Sequence, residues 1–117
     1  MFKPPKNDNK YSWTHHAYDK MRYYGISESR IKRIVRFPKR IEEGIVFDTI
    51  AVMQPAGTKK YQEIWVMYKL VKQKTYNKKH TTNNSKIKII TAWRYPGKSS
   101  ERDPIPEEVL NEVKRIL

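Results

Sequence analysis

One short segment near the start of the chain holds several side chains that could transfer a proton. His15, His16, Asp19 and Lys20 lie within the sequence Trp-Thr-His-His-Ala-Tyr-Asp-Lys. On a helix, His16 and Lys20 lie one turn apart on the same face, and His15 and Asp19 pair on the neighbouring face. A histidine that exchanges a proton and a cation that stabilises a phosphate are the minimum for metal-free RNA cleavage. The alternative is that His15 packs or caps the helix start and Lys20 is simply solvated.

Arg94 is the third candidate, because it ends an apolar, strand-like segment and is followed by Tyr95. An arginine at a strand end can hold a phosphate, while a neighbouring ring stacks on a base. The predicted catalytic set is therefore His16, Lys20 and Arg94. No metal or cofactor site is expected, since the chain has three histidines, no cysteine and no glycine-rich phosphate loop.

Basic residues greatly outnumber acidic ones. The chain has 25 lysines and arginines and 12 acidic residues, which give a formal net charge of +13 and a pI near 10.0. Residues 64–100 contain no acid, and neither does a second basic block at 30–40. Such a charge favours a polyanion over a small neutral ligand. The predicted nucleic-acid contacts are Arg30, Arg33, Arg36, Lys39, Lys69, Lys72, Lys88 and Tyr95.

Capping residues predict two helices in the first third of the chain. Thr14 can cap a helix that runs to about Tyr24, where Gly25 ends it. Ser27 can cap a second helix over about 28–36. Their apolar residues should pack on one face of a sheet, namely Ala17, Met21, Ile31, Ile34 and Val35.

The rest of the chain predicts strands and a final helix. Strands are expected over 45–53, 61–71 and 86–94, with a polar loop at 75–85 and an amphipathic helix at 107–117. Alternation places Ile87, Ile89, Thr91 and Trp93 on one face of the third strand, which we expect at the centre of the sheet. The predicted fold is α+β, with two N-terminal helices packed on a three- to four-stranded antiparallel sheet and a C-terminal helix.

Length and composition predict the domain organisation and the compartment. We expect residues 1–10 to form a disordered arm and residues 11–117 to form a single α+β domain. No apolar run approaches the roughly 20 residues of a spanning helix, and the polar start is unlike a secretory signal. A cytoplasmic protein without a membrane partner is the simplest expectation.

Two segments resemble a known family of small proteins. His16-Ala17-Tyr18-Asp19-Lys20-Met21 followed by Tyr24-Gly25-Ile26-Ser27 resembles the His-Ala-x-x-Arg-Met and Gly-Ile-Ser opening of a family of small domains. That family is related to BrnT toxins in the RelE/ParE superfamily. Residues 87–94 resemble its closing strand, which ends in an arginine. Lys20 stands where an arginine is usual, and the polar insertion at 72–86 and the helix after Pro106 are departures.

The resemblance implies a microbial-RNase or RelE-like fold, ribonuclease or ribosome-dependent mRNA interferase activity, and neutralisation by an antitoxin. The partners it implies are RNA, an acidic antitoxin protein and, for an activity of the second kind, the ribosome. His16 and Arg94 match the family pattern. The leading hypothesis is accordingly a toxin-like ribonuclease that cleaves RNA by metal-free acid–base chemistry. The alternative is a non-catalytic RNA- or DNA-binding module on the same scaffold. A protein-interaction module that uses an exposed edge strand is a third hypothesis, which leaves the charge unexplained.

Overall fold

A computed structural model describes residues 3–43, 46, 48–76 and 81–117 of the chain. These residues form an α+β fold, as predicted, with three helices and one five-stranded sheet. The helices are α1 (His15–Tyr24), α2 (Glu28–Arg36) and α3 (Glu107–Ile116). The strands are β1 (Tyr11–Trp13), β2 (Arg40–Glu43), β3 (Thr49–Pro55), β4 (Gln62–Tyr76) and β5 (Thr81–Pro96).

The first two helices have the predicted caps. Thr14 Oγ1 accepts a hydrogen bond of 3.0 Å from the backbone N–H of Ala17, and Ser27 Oγ accepts one of 3.1 Å from that of Arg30. Each cap satisfies one N–H group that has no partner inside its helix. Gly25 ends α1 with a φ of +65°, a left-handed conformation that glycine adopts without steric cost.

The sheet is mixed, with the strand order β1-β5-β4-β3-β2. The predicted antiparallel sheet is correct for β2 to β5, but β1 adds a parallel edge strand, with Tyr11 opposite Ile87. Three residues are too few to show the alternation that identifies a strand in a sequence. The segment 86–94 is an interior strand, but the prediction that it is central is wrong, because β4 lies in the middle.

A β-bulge in β5 changes which side chains share a face. Met67 lies opposite Thr91 and Tyr68 lies opposite Ile89, so Ile90 is one extra residue in β5. A bulge of this kind reverses the alternation beyond it. The prediction that Trp93 shares a face with Ile89 is therefore wrong. Ile89 packs in the core under α1 and α2, whereas Ile90 and Trp93 pack in a second core under α3.

Helices cover both faces of the sheet. We call the face under α1 and α2 the helix-pair face and the other the α3 face. Ala17, Met21, Ile31 and Ile34 are fully buried on the helix-pair face and Val35 is partly buried there, which confirms the predicted packing. On the α3 face, the rings of Trp65 and Trp93 stack with centroids 5.8 Å apart, and Val113 of α3 packs against the same core.

The predicted polar loop at 75–85 is wrong at both ends. β4 continues to Tyr76 and β5 begins at Thr81, and these two residues face each other in the ladder. Threonine occurs in turns but also favours extended backbone, so the threonines of this segment do not distinguish a loop from a strand. The remainder of that loop, 77–80, lies outside the described residues, as does Ile45 at the start of a predicted strand; β3 begins at Thr49.

Candidate phosphate-binding and proton-transfer sites

The predicted pair His16 and Lys20 lies on one face of α1, and a carboxylate from α3 joins it. His16 Nε2 lies 3.0 Å from Glu112 Oε2, and Lys20 Nζ lies 3.3 Å from both carboxylate oxygens. We call these three side chains the α1–α3 cluster. Each side chain is between 24% and 33% exposed, but the Nε2 atom of His16 is itself buried, and its contact with Glu112 does not have hydrogen-bond geometry. His16 thus has a cation and a carboxylate beside it, and proton exchange with a substrate would have to use its other ring nitrogen, Nδ1.

His15 and Asp19, the other predicted pair, are both exposed. His15 lines a shallow pocket of about 140 Å³ between α1 and the N-terminal residues, beside Pro5, Trp13 and Tyr18. The side chain of His15 therefore faces away from the core and does not cap α1, which Thr14 caps instead.

Arg94 lies at the opposite end of α1 from His16. Its Nε donates a hydrogen bond of 2.9 Å to the carbonyl of Tyr24, the last residue of the helix. His16 and Tyr24 are eight residues apart, which is about 12 Å along a helix axis. The structure therefore brings His16 and Lys20 together but places Arg94 in a different group.

That group is a pocket lined by three arginines. Arg94 meets Arg30 and Arg33 of α2 around a cavity of about 250 Å³, which we call the arginine pocket. No carboxylate is among its lining residues, which are Gly25, Ile26, Ser27, Ser29, Arg30, Arg33, Ile64 and Arg94. The pocket brings together residues to which the sequence assigns different roles, since it predicts Arg94 to be catalytic and Arg30 and Arg33 to contact nucleic acid.

Local structure explains why these arginines converge. Ser27 fixes the start of α2, and Arg30 and Arg33 are three residues apart, so they lie one turn apart on the same side of the helix. The bulge at Ile90 puts Arg94 on the helix-pair face, opposite Ile64 of β4. Without that extra residue Arg94 would point toward α3.

The charges in the arginine pocket are incompletely compensated. Arg30 Nη2 donates a hydrogen bond of 2.9 Å to the carbonyl of Pro55, while its buried Nε has no hydrogen-bond partner. Burial lowers the pKa of Arg30, and the nearby Arg33 and Arg94 lower it further. An arginine remains protonated at neutral pH despite such a shift, so the pocket is a positively charged cavity.

One further predicted cation, Arg36, extends this positive surface. Arg36 and Lys39 are exposed. Arg36 lines a groove of about 310 Å³ together with Ser29, Lys32, Arg33 and Phe37. Ser29 and Arg33 also line the arginine pocket, so the groove and the pocket are adjacent. Phe37, whose side chain is 65% exposed, is the aromatic ring in the groove.

The remaining predicted contacts lie elsewhere. Lys69 and Lys88 face each other across β4 and β5 and are half-buried, whereas Lys72 is exposed and lines a pocket with Glu43 and Asp48. Tyr95 packs against the core of the α3 face. It therefore lies on the opposite side of the sheet from Arg94, and the two do not form the predicted clamp with a stacking ring.

Sequence reasoning missed two acidic residues with structural consequences. The sequence does not single out Glu112 as a partner of His16 and Lys20, because Glu112 flanks the apolar stripe of an amphipathic helix, where charged residues are usual. Glu63 lies in the predicted strand 61–71, but its burial was not predicted; it is 1% exposed. The pattern that could have indicated burial is its position in a strand whose neighbours on the same face, Trp65 and Met67, are large and apolar.

A scan against protein-family models finds no match, and searches of curated proteins and of solved structures find none either. In the described ranges, no three histidine or acidic side chains come together in a group that could hold a metal ion. None of the described helices has the length and apolar run that crossing a membrane requires.

Proposed function

We propose that this protein binds RNA through phosphate contacts centred on the arginine pocket. The observation that carries the proposal is the convergence of Arg30, Arg33 and Arg94 on one cavity that no carboxylate lines. Three guanidinium groups repel one another, and an anion between them relieves that repulsion. Guanidinium groups bind phosphate oxygens through paired hydrogen bonds, which makes a phosphate a well-matched ligand.

The net charge and the groove support a polynucleotide over a small anion. A formal charge of +13 attracts a polyanion over a long range. The groove beside the pocket adds the exposed Arg36 and the ring of Phe37. Cations that contact a backbone and an aromatic ring that stacks on bases are the two elements of single-strand binding. We propose that RNA lies along this surface in the cytoplasm.

The resemblance to BrnT-related proteins supports the choice of RNA and a RelE-like form of the α+β fold. Its residues have clear structural roles here: Ala17 and Met21 are buried, Gly25 ends α1, Ile26 is buried and Ser27 caps α2. Apart from His16 and Lys20, the shared motif is therefore explained by packing and capping. It supports a proposal about the fold more strongly than one about catalysis.

A toxin-like ribonuclease is the second candidate function, and the α1–α3 cluster favours it. His16 would take the proton of the attacking ribose 2′-OH and return it to the leaving 5′-oxygen, and Lys20 would stabilise the charge on the phosphorane. Glu112 would orient the imidazole, from its position 3.0 Å from Nε2. Arg94, at the other end of α1, would hold a neighbouring phosphate instead of the reacting one. An acidic antitoxin and a ribosome would be the matching partners.

Equilibrium binding to a fluorescent single-stranded RNA tests the first proposal. Affinity should fall about tenfold or more between low and physiological salt, since several phosphate contacts release counterions. Arg33→Gln and Arg94→Gln should each weaken binding about tenfold. Lys114→Gln is the matched control, because it removes the same charge from an exposed position on α3. Equal losses in the control and the pocket variants would contradict a site at the pocket.

Cleavage assays separate the second candidate from simple binding. His16→Ala should lower the cleavage rate about 10²-fold while RNA affinity stays nearly unchanged, because proton transfer acts on the transition state. The products should carry a 2′,3′-cyclic phosphate. Purified protein that binds RNA and cuts none, alone or with ribosomes, would remove the ribonuclease candidate and leave the binding function.

A further inference from the structure

The arginine pocket is concave, which distinguishes it from the exposed basic surface around it. Arg94 is held by its bond to the Tyr24 carbonyl and Arg30 by its bond to the Pro55 carbonyl. Each anchored guanidinium keeps its other N–H groups in a fixed direction, so less side-chain entropy is lost when a ligand binds. Such a site favours a ligand that enters the cavity over one that passes across it.

The charge of the pocket fits a terminal phosphate better than an internal one. An internal phosphodiester carries one negative charge and has a ribose on each side, so it cannot enter a cavity end-on. A phosphate monoester carries about −1.5 to −2 at pH 7 and presents three oxygens that accept strong hydrogen bonds. Three guanidinium groups, with no lining carboxylate to compete, are enough to neutralise that charge and to donate to all three oxygens.

The groove shows where the rest of such a chain would lie. It shares Ser29 and Arg33 with the pocket and leads to Arg36 and to the exposed ring of Phe37. A nucleotide whose terminal phosphate fills the pocket can therefore place a base against Phe37, and base–aromatic stacking is worth about 1–3 kcal/mol. The cavity and the ring are independent features that select the same ligand.

We propose that the arginine pocket recognises the phosphate monoester at one end of an RNA chain, with the adjoining nucleotide stacked on Phe37. This inference rests on the proposed RNA-binding function and specifies its substrate class. The chemistry is common to a 5′-phosphate and a 3′-phosphate. The protein would thus distinguish a phosphorylated RNA end from a hydroxyl end.

Competition binding with three RNA oligonucleotides of one sequence tests this inference. One carries a 5′-phosphate, one a 3′-phosphate and one a hydroxyl at both ends. We expect one phosphorylated RNA to bind about tenfold or more tightly than the hydroxyl RNA, and which one it is identifies the end. The preference should shrink below pH 6, where the monoester loses its second charge.

Variants assign the preference to the pocket. Arg33→Gln and Arg94→Gln should reduce it to twofold or less, whereas Lys114→Gln should keep it. Arg33 is exposed, so its variant keeps the test valid if Arg94→Gln fails to fold. Phe37→Ala should weaken all three RNAs by a similar factor, since stacking does not depend on the end group.

Three results would contradict recognition of a phosphorylated RNA end, and they differ in what they imply for the proposed RNA binding. Equal affinity for all three RNAs, still lowered by Arg33→Gln, would leave the proposed RNA binding in place and refute end recognition. Failure of every RNA to bind would refute both. A phosphoserine peptide that binds as tightly as the phosphorylated RNA would show that the pocket recognises a phosphate monoester whether or not it is attached to RNA.

Discussion

The two faces of the sheet differ in how far their charged side chains are compensated by other groups of the protein. On the α3 face, the buried Glu63 accepts four hydrogen bonds, and Arg40 pairs with Glu42 at 2.8 Å while its guanidinium lies over the ring of Trp65. On the helix-pair face, the arginine pocket has no lining carboxylate. Charges that are compensated within the protein stabilise the fold, whereas uncompensated charges are available to a ligand.

Glu63 shows how completely a charge can be compensated. Its carboxylate accepts hydrogen bonds from the Ser99 hydroxyl at 2.5 Å, the Ser99 N–H at 3.2 Å, the Trp65 indole at 3.1 Å and the Tyr61 hydroxyl at 2.9 Å. Arg40 Nη1 donates to the same Ser99 hydroxyl at 3.1 Å. This network ties the segment between β5 and α3 to the sheet.

Removal of the Glu63 carboxylate should have the largest effect on stability. Glu63→Ala leaves the buried donors of Ser99 and Trp65 without an acceptor, and each unsatisfied buried group costs about 1–3 kcal/mol. We expect the free energy of unfolding to fall by about 3 kcal/mol or more in urea denaturation. RNA affinity of the folded protein should stay unchanged, since the change lies on the α3 face. A loss below about 1 kcal/mol would show that the network contributes little.

Acid should weaken the same network. Burial alone would raise the pKa of the Glu63 carboxyl, but the hydrogen bonds from Ser99, Tyr61 and Trp65 outweigh it and lower the pKa below its usual value. A lowered pKa contributes stability that is present above the ordinary glutamate range and is lost as pH falls through the folded-state value.

Urea denaturation between pH 6 and pH 3 checks this sign. The stability advantage of the native protein over Glu63→Gln should be largest near pH 6 and should shrink as the pH falls below about 4.3, the ordinary glutamate pKa. An advantage that grows toward low pH would mean that burial, and not hydrogen bonding, dominates the pKa of Glu63.

Glu112 should give the smallest effect. It joins α3 to His16 and Lys20, but these side chains are about a quarter to a third exposed, and solvent screens such pairs. Glu112→Gln should therefore lower the free energy of unfolding by less than about 1 kcal/mol and change RNA affinity less than twofold. A loss of several kcal/mol would place this cluster with Glu63 as a main contributor to the fold.

Local signals in the sequence predicted the helices well, and the sheet less well. Thr14, Gly25 and Ser27 act through contacts within a few residues, so their effect on α1 and α2 can be inferred without the fold. The bulge at Ile90 and the parallel pairing of β1 depend on partners some 20 to 80 residues away. No local pattern encodes them.

The same distinction explains the candidate sites. The pairing of His16 with Lys20 follows from helix spacing, and it was predicted. The arginine pocket requires the end of α1, the start of α2 and the far half of β5 to meet, so only the fold brings Arg94 to Arg30 and Arg33. Glu112 joins His16 through a contact between α1 and α3, which sequence spacing does not specify.

A charge reversal inside the arginine pocket tests the central claim most directly. Arg33→Glu supplies the pocket with the carboxylate that its lining lacks, and Lys114→Glu makes the same charge change on α3 as a control. We expect Arg33→Glu to weaken RNA binding by roughly a hundredfold, because the new carboxylate pairs with the remaining arginines and repels phosphate. Its free energy of unfolding should fall by no more than about 1 kcal/mol, since the substitution removes a repulsion. If Arg33→Glu binds RNA as well as Lys114→Glu does, the uncompensated arginines are not the RNA site and the claim is wrong.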